Sequence, residues 1–118
     1  MGRRGRERAK QTALRAPETE YRDANGNVLA LRGALSPATR RLYAGTIAGG
    51  LHREDARARA VEMLFERLAV SWTISGIETS RAKELLARYR MATMAEREFV
   101  LDSLRGHLAE NFPELEAP

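Results

Sequence analysis

Residues 60–80 read AVEMLFERLAVSWTISGIETS, and the change of rhythm partway along this stretch decides the fold. Val61, Leu64, Phe65, Leu68 and Trp72 follow one another at spacings of 3, 1, 3 and 4 residues, which is one face of a helix. Arg57, Arg59, Glu62, Glu66 and Arg67 fall around the rest. Glu54 and Asp55 sit in the first turn, where the helix dipole favours anions, so a helix is expected from about Arg53 to Ala69 or beyond. The segment Val70-Ser71-Trp72-Thr73-Ile74 has β-branched character, and the helix is expected to give way to an extended segment there. Ser75-Gly76 then turns the chain.

Downstream, Thr79 or Ser80 offers a cap to a third helix with Leu85, Leu86 and Tyr89 as its apolar stripe. Arg81, Lys83, Arg88 and Arg90 make its other side basic. Thr93 followed three residues later by Glu96 is a capping box for a fourth helix. Leu101, Leu104, Leu108 and Phe112 form its apolar face, Phe99 and Val100 widen it, and Pro113 stops it. Upstream, Ser36-Pro37 is a helix start, Ser as N-cap and Pro at the first helical position. That first helix is expected from Pro37 to about Ala48, carrying Leu42, Tyr43 and Ile47 and ending at Gly49-Gly50. Before it, Tyr21 to Leu31 reads as a hairpin around Asn25-Gly26, a type I′ signal. Such a hairpin is marginal alone and must lean on the helices or on another chain, and its exposed edge invites strand addition. The expected fold is therefore mainly α: a compact bundle of about four helices with a short N-terminal β-hairpin. Residues 19–115 are expected to form one helical domain behind a disordered basic arm, residues 1–18.

Charge supports that division. The net charge of +4 is uneven: residues 1–16 carry +5 through Arg3, Arg4, Arg6, Arg8, Lys10 and Arg15 against Glu7, and the remainder carries −1. The high isoelectric point thus belongs to the arm, which is either a solubilising tail or a contact for nucleic acid or an acidic surface. It has no aromatic residue to stack on bases. The chain has no cysteine, which excludes a disulfide scaffold and cysteine-based zinc sites. No segment approaches the roughly 20 apolar residues that span a bilayer, and no apolar run follows the basic N-terminus as in a secretory signal. A cytoplasmic protein without membrane contact is expected.

The residues that do chemistry are sparse. His52 and His107 are the only histidines, and neither has a second ligand at i+3 or i+4. His52 is expected at a helix entrance and His107 on the surface of the fourth helix. Glu54-Asp55 is explained by its place in a first turn. The serines lack a nucleophile-elbow context, and Gly45, Gly49 and Gly50 lack the Lys and Ser/Thr of a phosphate loop. No catalytic residue, metal ligand or cofactor is expected. Two binding surfaces remain. One is Val70, Trp72, Ile74 and Ile77, an apolar, irregular segment that either plugs the core or docks a partner. The other is basic, Arg3, Arg4, Arg6, Arg8 and Lys10 of the arm with Arg81, Lys83 and Arg88 of the third helix, for contact with nucleic acid.

The order of these elements resembles the small tail assembly chaperones of long-tailed phages and related prophages. The matching pieces are YRDANGNVLALRG (21–33), LSPATRRLY (35–43), AVEMLFERLAVSWTISGIETS (60–80), KELLARYR (83–90) and VLDSLRGHLAENFPEL (100–115), together spanning about residues 20–115. Val70 and Trp72 fall on the family's tryptophan motif. The resemblance implies a non-enzymatic protein that coats a long, helical tape-measure client before the tail tube polymerises; the segment around Trp72 and Ile77 offers a docking place either for that client or for a second copy of the chain. It also implies production in two lengths through a programmed frameshift. The alternative expectation is a small DNA-binding or regulatory protein working through its basic arm and third helix.

Overall fold

The computed structural model describes residues 17–49 and 52–118. It corrects the expected class. Among the described residues four helices are present, but so is a four-stranded antiparallel sheet, with 54% of those residues in helix and 19% in strand, so the fold is α+β and not a mainly helical bundle. The strands are β1 (Glu18–Arg22), β2 (Val28–Arg32), β3 (Ala69–Ile74) and β4 (Ile77–Thr79), paired in that order. The helices are α1 (Pro37–Ile47), α2 (Arg53–Leu68), α3 (Ala82–Arg90) and α4 (Met94–Asn111).

The correction has a local cause. Helix α2 stops at Leu68, and Ala69 already has extended dihedrals (φ −67°, ψ 123°) while its N–H still bonds the Phe65 carbonyl. Beyond it, Val70, Thr73 and Ile74 are branched at Cβ and favour a pleated strand. That strand pairs with β2 on one side and β4 on the other. The hairpin that could not stand alone therefore leans on a strand and on helices together. Trp72 is not the last residue of the α2 stripe; it lies on β3 and meets the same core from the sheet. A bulge makes this possible. Leu29 pairs with Trp72 but Leu31 with Ala69, so Val70 is the extra residue. The insertion lets Ala69 and Trp72 both turn inward although they are three positions apart.

The two hairpins use different turns. Gly26 alone has positive φ (+81°) in the first; Asn25 does not, so the expected type I′ turn is absent. Asp23 N–H donates to the Asn27 carbonyl and Gly26 N–H to the Asp23 carbonyl, which is a three-residue loop with a glycine bulge. The Asp23 carboxylate accepts from the Asn25 and Asn27 amides and fixes it. In the second hairpin Ser75 (φ 52°) and Gly76 (φ 79°) are both left-handed, and Ile74 faces Ile77, so the type I′ turn is here.

One face of the sheet packs on the helices. Tyr21, Leu29, Trp72 and Thr79 form a row across it, and Leu29, Leu31 and Trp72 join one core with Leu64, Phe65 and Leu68 of α2 and Val100, Leu104 and Leu108 of α4. The opposite face carries Glu20, Ala30 and Ser71 in one row and Arg22, Val28, Thr73 and Glu78 in the next. That second face is charged and exposed at Glu20, Arg22 and Glu78, while Ala30 in its middle is 4% exposed.

Helix ends follow the sequence unevenly. The Ser36 hydroxyl accepts from the Thr39 amide ahead of Pro37, and Thr93 and Glu96 form the reciprocal capping box of α4. Helix α3 departs from expectation: Thr79 belongs to β4, and the N-cap position is Arg81, which makes no side-chain cap. His107 departs too. It is fully buried on α4, not on its surface. Its Nε2–H donates to the Arg32 carbonyl (2.8 Å), and its Nδ1 accepts from the Tyr21 hydroxyl (2.9 Å). A carbonyl can only accept, which fixes the tautomer. The ring thus ties α4 to both strands of the first hairpin.

The C-terminal residues fold back. The Tyr43 hydroxyl donates to the Glu116 carbonyl (2.5 Å), Arg40 pairs with Glu114 (2.7 Å), and Arg105 Nε–H donates to the Pro118 carbonyl (2.8 Å). Burial, with Glu116 nearby, holds the Tyr43 phenol far above its ordinary pKa. Of the expected arm, residues 1–16 lie outside the described residues. Glu18, assigned to that arm, instead begins β1, and the Pro17 carbonyl accepts from Gly33 N–H (2.8 Å).

Candidate binding groove

The apolar faces of α2 and α4 are not wholly used up against each other. Along α2, Glu54, Arg57, Ala58 and Val61 follow helical 3-and-4 spacing, and along α4, Met94, Arg97, Glu98 and Leu101 do the same. These two rows wall a groove of about 380 Å³, with Tyr89 of α3 at its floor. Seven residues of helix rise about 10 Å, so each wall is about two turns long. Val61 and Tyr89 are almost buried, Leu101 is half-buried, and Met94 is 78% exposed. The charges at the rim balance: Glu54 and Arg57 on one wall, Arg97 and Glu98 on the other.

Several contacts fix the position of Tyr89. Tyr89 stacks on Phe65 with ring centroids 4.9 Å apart, and the Arg97 guanidinium lies 5.2 Å from the Tyr89 centroid. Arg97 also donates to the Arg90 carbonyl (2.9 Å), which ties the first turns of α4 to the end of α3. Burial raises the Tyr89 phenol pKa above its ordinary value, with Arg97 opposing and Glu62 reinforcing the shift. Met91 and Met94 flank the α3–α4 turn and are 80% and 78% exposed. Unbranched, polarisable methionine adapts to irregular apolar partners. A groove of this kind can hold apolar side chains presented at helical spacing. Among the described residues, no group of three or more His, Cys, Asp or Glu side chains could hold a metal ion.

The surfaces singled out in the sequence are placed differently. Trp72 is 1% exposed, edge-on to Phe65 at 5.6 Å and capped by the Arg88 guanidinium at 5.4 Å. Its buried Nε1–H has no hydrogen-bond partner. Ile74 is half-buried against the core, Val70 is half-buried at the bulge, and Ile77, its cross-strand pairing with Ile74 notwithstanding, is 72% exposed. The apolar segment therefore divides into core and surface. Of the basic set, Arg3, Arg4, Arg6, Arg8 and Lys10 lie outside the described residues. Arg81 and Lys83 are exposed at the start of α3, whereas Arg88 pairs with Glu96 (2.7 Å) and Arg90 Nε–H bonds Glu62 (3.0 Å). The hydrogen bond from Arg88, with the Thr93 amide next, holds the Glu96 carboxyl below the usual range.

The groove residues Ala58, Met94, Arg97 and Glu98 were not singled out in the sequence. The available signal was Met94, an apolar side chain at the first position of a capped helix, where the core does not reach. No helix among the described residues is long and apolar enough to cross a membrane. The chain matches no family model, no curated protein and no solved structure.

Proposed function

We propose that this chain is a non-enzymatic binding and assembly protein of the tail-assembly-chaperone type, and that it shields apolar helical surface of a tape-measure-like client. The observation that carries the reading is the α2–α4 groove, apolar at its floor and open beside Met94. Its walls match the i, i+3/i+4, i+7 rhythm by which an amphipathic helix presents apolar anchors. Its balanced rim suits a client recognised by apolar contact more than by net charge. The order of elements around Val70 and Trp72 supports the same class. Against the nucleic-acid reading stands the ion pairing of Arg88 and Arg90 within the molecule.

Coexpression with a long helical protein of the tape-measure type tests the reading. The native chain is expected to keep that protein soluble and to copurify with it. The double variant Ala58→Glu, Met94→Glu, which places carboxylates in the groove at exposed positions, is expected to fold and to lose the client. Equal recovery with both chains would remove the groove from the account.

A further inference from the structure

Among the described residues the sheet has two free edges, and they differ. Strand β4 (Ile77–Thr79) carries a single charge, Glu78, and so offers no complementary pair to a second copy. Strand β1 offers five residues in unbroken register with β2, without a proline or a bulge within it. Proline and bulges are two of the devices that blunt an exposed edge; β1 has neither, and its charges, Glu18, Glu20 and Arg22, are of both signs.

The ladder shows which main-chain groups are free. Gly33 N–H donates to Pro17 O, and Asp23 N–H donates to Asn27 O. Pairing alternates along an antiparallel strand, so the odd-numbered residues of this stretch turn their N–H and C=O toward β2. Glu18, Glu20 and Arg22 turn theirs outward.

The side chains then select a partner. Glu20 and Arg22 stand on the open face of the sheet, 62% and 68% exposed and 3.7 Å apart. We propose that β1 pairs antiparallel with β1 of a second copy of this chain, about a two-fold axis at Tyr21. This register sets Glu20 opposite Arg22 of the second copy, and Arg22 opposite Glu20, both at hydrogen-bonded positions. The four side chains alternate in sign on the open face. Tyr21 faces its own symmetry mate at the closer, non-bonded position, where aromatic pairs favour association. A register centred on Glu20 would pair all five residues and set Glu18 opposite Arg22, but it would also set Glu20 against itself at the centre, and one centred on Thr19 would set Glu18 against Glu20. Charge therefore favours one register. The result is a continuous sheet of twice four strands, with the helices of both copies on one side. The α2–α4 groove contributes no residue to this joint, so the inference stands apart from the proposed client.

Sedimentation equilibrium of the full chain reads the outcome directly. The native protein is expected to show a concentration-dependent monomer–dimer equilibrium. Glu20→Arg alone and Arg22→Glu alone set like charges across the joint, and each is expected to weaken the dimer by roughly tenfold or more. In an equimolar mixture of the two single variants, one chain carries arginine at both positions and the other carries glutamate at both. Opposite charges then face each other across the joint again, and mixed dimers are expected to return. Glu20→Pro removes an outward N–H while leaving the β1–β2 ladder intact, and is expected to abolish the dimer; circular dichroism checks folding throughout. A native chain that stays monomeric overturns the proposal. So does a dimer indifferent to both charge variants and to Glu20→Pro, or a mixture that recovers nothing.

Discussion

Two side chains show how single residues set the geometry. His107 closes α4 onto the first hairpin through Arg32 and Tyr21, a role invisible to a reading of spacing alone, because Ser103, His107 and Asn111 share a helix face that looks polar. Glu96 caps α4 and binds Arg88 at once. Its carboxyl is held below the ordinary value, first by Arg88, so the folded state favours the ionised form. The resulting stability is complete above the unfolded glutamate value of about 4.3 and is lost as pH falls through the lower folded value. Glu96→Gln keeps an acceptor for the Thr93 amide but cannot titrate. Urea denaturation between about pH 6 and pH 3 is expected to show a shallower acid loss in the variant than in the native chain. Parallel losses would mean that the Glu96–Arg88 contact contributes nothing to stability.

The elements were legible where a residue pattern is local. The caps at Ser36 and Thr93, the α2 stripe and the Ser75-Gly76 turn all follow from neighbouring residues. What the pattern missed is pairing at a distance. The extended character of 70–74 is visible in the sequence; its union with β2, some forty residues earlier, is not, since any two strands of matching length could pair. The bulge at Val70 hid it further, because Trp72 continues a helical spacing and an inward strand position at once. The stripes of α2 and α4 do share one core, as their spacing suggested. Leu64→Ala and Leu104→Ala, both at fully buried positions, are each expected to cost about 2–5 kcal/mol in denaturation experiments. Ile77→Asp at an exposed strand position is expected to change stability by no more than about 0.5 kcal/mol. A collapse of the Ile77→Asp variant, or unchanged midpoints for both leucine variants, would contradict this packing.

At the scale of the whole molecule, the groove exists because three helices meet imperfectly. Helices α2 and α4 share one core beside a gap that Tyr89 of α3 lines, and Met94 stands exposed at its edge. Each contributing residue looks ordinary in sequence; only the packing gathers them. The four methionines, Met1, Met63, Met91 and Met94, offer a direct readout, since each carries one resolvable methyl group. Titrating the methyl-labelled chain with an amphipathic helical peptide that carries apolar residues at i, i+3/i+4 and i+7 tests the central claim most directly. The Met94 methyl signal, with those of Val61 and Leu101, is expected to shift saturably while that of Met63 stays in place. Shifts confined to Ile74 and Ile77, or no saturable shift at all, would contradict a client seated between α2 and α4.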